Sequence, residues 1–135
     1  MVRVIEEAAQ FTARQRWAPK VELEHVLLAL LVPGTDTYAY LAAREVDIPT
    51  LINELDAICP CYQNGPYFPT RSELWSHISI DIWDLNKDTS SDLKFVRAAL
   101  SYLDDFPDGT PSFAQARLLE LGITLEDIEA VLESI

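Results

Sequence analysis

Laid on itself at an offset of 70 residues, the chain places Leu23 on Leu93, Val26 on Val96, Ala29 on Ala99 and Leu30 on Leu100. The same offset sets Val4 on Leu74 and Ala8 on Ile78. Further along it becomes 77, matching Val46 with Ile123, Asp47 with Thr124, Leu51 with Ile128 and Leu55 with Leu132. A register change confined to a loop fits an inserted segment, because lengthening a loop costs little entropy. Recurring apolar positions predict one structural unit used twice. Each half is too small to bury its own apolar faces. The expectation is an all-α fold of about eight helices, arranged as two pseudo-twofold-related four-helix repeats around one core. It makes residues 1–135 a single domain, with repeat 1 over about 2–58, a linker over 59–70 and repeat 2 over about 71–135.

The period of the apolar residues sets the helices. Ile5, Ala8, Ala9, Thr12 and Ala13 share one face of a helix over 2–17, and small side chains there let a second helix approach closely. The run from 22 to 32, within VELEHVLLALL, is apolar nearly all round and reads as a central buried helix ended by Pro33 and Gly34. A short helix follows from Tyr38 to Arg44, and another from Pro49 to Ile58 with Asp47 as its N-cap. The stretch CPCYQNGPYFPT, 59–70, is rich in proline and amides and admits no regular element. Beyond it Leu74, Trp75, Ile78, Ile82 and Leu85 resume the pattern, then Leu93, Val96, Leu100 and Leu103, with Asp92 as a cap. A helix from Phe113 to Leu121 stops at Gly122, and a last one carries Leu125, Ile128, Leu132 and Ile135 behind Thr124. No strand is expected.

The string EHVLLALL, behind a small-residue helix and ahead of YLAAREVDIPTLINEL, resembles the first repeat of the N-terminal domain of Clp-type AAA+ unfoldases. RAALSYLDDFPDGTPSFAQARLLELGITLEDIEAVL resembles the second, and together the match spans nearly the whole chain. The resemblance implies a double four-helix fold that captures adaptors, substrates or partner helices, and it implies no catalysis. In it Glu24, His25, Leu27, Leu28 and Leu30 form a structural signature at a helix start. The family domain is normally joined to an ATPase ring, yet no GxxxxGK[ST] phosphate loop occurs here. A free-standing domain is therefore expected. Where relatives often carry a capping Thr, this chain has Glu22.

The formal charge of -12 disfavours nucleic acid and anionic membranes, because both attract Lys and Arg. Residues 68–135 hold thirteen acids and five bases, against nine and five in 1–67. A charge-steered partner is expected to be a protein with a basic surface or an amphipathic helix. Arg3, Glu6 and Glu7 stand where a signal peptide needs an apolar run, so a cytoplasmic setting is expected. Cys59 and Cys61 are too close for an unstrained disulfide and too few for a zinc site. They read as reduced thiols in the linker.

Glu24 and His25 invite an acid–base reading, but neighbours on a helix point about 100° apart. His77 is the only other histidine, and no cofactor or metal is expected. The helical reading gives Glu24 to the positive helix end and His25 to packing. Asp81, Asp84, Asp88 and Asp92 form an acidic stripe if their helix continues, and Asp104, Asp105 and Asp108 cluster at a turn. These acids read either as a solvated face or as a docking surface for Lys and Arg. Tyr62, Tyr67 and Phe68 in the proline-rich linker are residues of the kind that anchor interfaces. The function expected is non-catalytic: an adaptor or partner-capture module, or alternatively an immunity-type protein that neutralises a basic toxin.

Overall fold

The computed structural model describes residues 2–58, 69–76, 78, 91–105 and 111–134. Its elements run α1 (Val2–Gln15), β1 (Lys20–Val21), α2 (Leu23–Leu30), α3 (Asp36–Ala43), α4 (Ile48–Ile58) and β2 (Thr70–Arg71). Then come α5, helical at 73–76 and 78, α6 (Leu93–Asp105), α7 (Phe113–Glu120) and α8 (Leu125–Glu133). Eight helices, as expected, build the described residues. The small-residue face predicted for α1 is the face that packs on α2: Ile5, Ala9 and Ala13 are buried.

Among the described residues some helix contacts recur in both halves. α2 packs on α4 as α6 packs on α8, and across the pseudo-twofold α2 meets α7 as α3 meets α6. Leu23 and Leu93, Val26 and Val96, Leu30 and Leu100, and Leu51 and Ile128 are all buried in one hydrophobic cluster. Burying each such side chain contributes on the order of 2 kcal/mol. The offset of 77 is visible even in the backbone. Val46 N–H donates to Leu41 O at 3.1 Å, and Ile123 N–H donates to Leu118 O at 3.1 Å. Each bond closes the end of its helix around a left-handed residue, Glu45 at φ 61° and Gly122 at φ 79°.

Capping accounts for most of the boundaries. Asp47 Oδ1 accepts from Thr50 N at 3.2 Å, and Thr124 Oγ1 accepts from Asp127 N at 3.2 Å, both as the sequence suggested. Ser112 and Gln115 cap α7 reciprocally, Gln115 N to Ser112 Oγ at 3.2 Å and Ser112 N to Gln115 Oε1 at 2.8 Å. The Gln115 amide, wholly buried, also donates to Ala99 O at 2.9 Å and so joins α7 to α6. α2 is shorter than its apolar run, ending at Leu30 with Leu31 as C-cap, and α1 stops at Gln15.

Two readings need correction. Asp92 does not cap its own helix: its carboxylate crosses to the start of α3, accepting from Asp36 N at 2.8 Å, Thr37 N at 2.7 Å and Thr37 Oγ1 at 2.6 Å. Three donors meet it there, while at the start of α6 Ser91 Oγ accepts from Leu93 N at 3.3 Å. The expected absence of strands fails at one place, where Lys20–Val21 runs parallel to Thr70–Arg71. The extended link between α1 and α2 has backbone groups that need partners. Thr70 N supplies one to Pro19 O at 3.2 Å, and Ser72 N one to Val21 O at 2.9 Å. The linker's last residue is thus part of a regular element.

Candidate functional site

The first candidate is the start of α2. Its N-cap, Glu22, is extended, and the Glu22 N–H donates to His25 Nδ1 at 2.9 Å. A ring nitrogen that accepts a backbone N–H carries no proton, so the proton of the neutral imidazole sits on Nε2. Burial, with a smaller effect from the Arg16 charge, lowers the His25 pKa to about 4. Glu22 moves the other way, raised first by burial and then by the charge of Glu24. Glu24 itself points elsewhere: Oε1 accepts from Ala114 N, 3.4 Å away, at the first turn of α7. The pair that looked like an acid and a base is therefore divided between two helix N-termini. Leu27 and Leu30 lie in the core, and Leu28 packs partly buried against it.

A second candidate is a groove of about 570 Å³. Glu6, Glu7 and Gln10 of α1 form one wall. The other consists of Val21, Pro69 and Thr70 at the parallel pair, with Trp75 and Ser76 of α5 behind them. Trp75 is held there by Phe95, with ring centroids 5.7 Å apart. Sequence reasoning missed this site because Glu6, Glu7 and Gln10 lie about sixty residues from Pro69, Thr70, Trp75 and Ser76, and only the fold brings them together. The one available signal was extended, proline-flanked sequence at both Lys20–Val21 and Thr70–Arg71.

Among the described residues, three ion pairs join separate elements. Arg117 grips Glu54 with Nε to Oε2 at 2.6 Å and Nη2 to Oε1 at 3.1 Å, which holds the Glu54 pKa below its usual value. Arg16 of the α1 end pairs with Asp56. Arg44 reaches Asp127 at 3.5 Å while lying 4.6 Å over the Tyr40 ring.

Of the residues proposed as a binding surface, Tyr62, Tyr67, Phe68, Asp81, Asp84, Asp88 and Asp108 lie outside the described residues, as do Cys59, Cys61 and His77. Asp104 and Asp105 are the last two residues of α6, their side chains outside the description. Among the described residues no group of three or more His, Cys, Asp or Glu side chains is placed to hold a metal ion. No helix there is long and apolar enough to cross a membrane.

No protein-family model matches the chain, and no curated protein does. Among solved structures, the N-domain of ClpV from Vibrio cholerae matches with a TM-score of 0.72 at 24% identity, over 95% of this chain and 77% of that one. The arrangement of helices described above is accordingly a Clp N-domain-like, all-α fold.

Proposed function

We propose that this chain is a non-catalytic protein-interaction module acting in the cytoplasm as an adaptor or partner-capture protein. One observation carries the reading: the buried ionisable groups most suggestive of chemistry are occupied at helix starts. His25 holds Glu22 N, Glu24 reaches Ala114 N, and Asp92 holds Asp36 and Thr37. The Clp N-domain-like fold supports it by analogy of fold alone. The partner has a basic surface or an amphipathic helix, and Tyr62, Tyr67 and Phe68 with the acids at 81, 84, 88, 104, 105 and 108 are its proposed contacts. Affinity capture from the native cell, followed by titration of the purified partner, tests this. A stoichiometric complex that weakens as salt rises is the expected result. A complex indifferent to both salt and these residues would count against it.

The concentration of thirteen acids in residues 68–135 favours a second reading, an immunity-type protein that blocks a basic toxin. The identity of the captured protein separates the two: an unfoldase or protease component supports the adaptor, and a basic toxin encoded beside this chain supports immunity.

A further inference from the structure

Two of the helix starts close the same kind of box. On α7, Ser112 N donates to Gln115 Oε1 at 2.8 Å, and on α2, Glu22 N donates to His25 Nδ1 at 2.9 Å. In both, the acceptor stands at the position that Glu or Gln usually fills. An amide oxygen accepts at every pH, whereas an imidazole nitrogen accepts only while it carries no proton. Of these two boxes, a proton can disable the one on α2 alone.

The place of that box in the fold gives the difference a consequence. Glu22 is the residue between β1, which ends at Val21, and α2, which begins at Leu23. Val21 O accepts from Ser72 N at 2.9 Å, a bond that holds β1 to the segment entering α5. The ring itself is buried, and burial, then the Arg16 charge, lowers its pKa to about 4, while a ring freed into water returns toward the ordinary value. Of the elements packed on α2, α1 brings Arg16 to bear on the ring, while α4 and α7 hold Asp56 against Arg16 and Glu54 against Arg117. On its own segment Glu22 and Glu24 flank the ring's turn, Glu24 reaching to Ala114 N, and Lys20 is exposed. We propose that the start of α2 is a proton-operated latch: a proton taken up on His25 Nδ1 frees Glu22 N–H and, with it, the β1–β2 pair, while the rest of the fold stays closed.

The test is native-state hydrogen exchange of the intact chain and of His25→Gln, read by NMR at two pH values. Rates are expressed as protection factors, which remove the intrinsic pH dependence of exchange. Gln at this position rebuilds the box of α7 with an acceptor that does not titrate. Protection of Glu22 and Ser72 should fall in the parent from about pH 7 to about pH 5, and the ratio of variant to parent protection should grow about twentyfold over that interval. Leu55 and Leu100, buried in mid-helix, should stay protected well beyond both. Equal protection of variant and parent at the two pH values would overturn the latch. So would exchange of Glu22 and Ser72 no faster than that of Leu55 and Leu100, because the opening would then be that of the whole fold. If His25→Gln does not fold, the parent decides alone, and protection of Glu22 that is unchanged between the two pH values overturns the proposal.

Discussion

The two repeats solve the same problem unequally. Thr37 and Ala114 occupy equivalent places, one helical position into α3 and α7, and each backbone N–H is met by an acid from the opposite repeat. Asp92 meets the first with bonds of 2.6–2.8 Å and takes in Asp36 N and the Thr37 hydroxyl as well. Glu24 meets the second alone, at 3.4 Å, while Ser112 and Gln115 supply the local cap that α7 needs. The geometry of the exchange survives in both halves, although the acid stands just before its helix in one and inside the first turn in the other. What is retained is the requirement of a buried helix start for negative charge, not the residue that meets it.

On that inequality, Asp92→Ala should be the most damaging single change. It leaves two backbone donors and a hydroxyl without their buried acceptor, a loss of about 3–4 kcal/mol in chemical denaturation. Glu24→Ala, which removes one long bond, should cost about 1 kcal/mol. Similar losses for both would mean the asymmetry has no energetic weight.

The next comparison concerns His25, whose counterpart at the offset of 70 is Phe95, buried against Trp75 and without charge at any pH. The folded-state pKa of about 4 lies below the ordinary 6.5, so the unfolded chain takes up a proton that the folded chain refuses. His25 therefore leaves stability intact above pH 6.5 and erodes it as pH falls toward 4, by about 2–3 kcal/mol, with no further loss below. Glu22, its pKa raised, binds protons more readily when folded and opposes this slope. Stability measured across that range should decline in the parent chain and flatten in His25→Gln. An unchanged acid slope in the variant would move the effect to other groups.

The smallest contrast lies at the ends of α3 and α7. Gly122→Ala forces a side chain into left-handed backbone where nothing crowds it, so the cost is conformational, about 1 kcal/mol. Glu45→Gly at the equivalent turn should have the opposite sign and raise stability by about 0.5–1 kcal/mol. Thermal melting of both variants reads the difference.

Much of this was legible before any coordinates. Leu23, Val26, Leu51 and their mates declared themselves by period and offset, because burial repeats wherever the architecture repeats. Asp47 and Thr124 were legible as caps because they act within three residues. Asp92 was misread for the opposite reason: its partners lie 55 and 56 residues back, and a bond between a side chain and a distant backbone leaves no period to find. The groove was illegible on the same ground. The helical spacing already set Glu24 and His25 on different faces, but the destination of the Glu24 carboxylate at Ala114 had no sequence signal.

The crossing of Asp92 also bears on how the chain reaches its native state. α3 is complete only when α6 has arrived, across a separation of 55 residues, and the α7 start draws on Glu24 over a separation of 90. Contacts of such range slow folding, because the intervening chain must be ordered before they form. They also link the fate of the halves: neither repeat can open without exposing a helix start in the other. Hydrogen exchange at Thr37 and Ala114 should therefore follow the opening of the opposite repeat more closely than the fraying of their own helices.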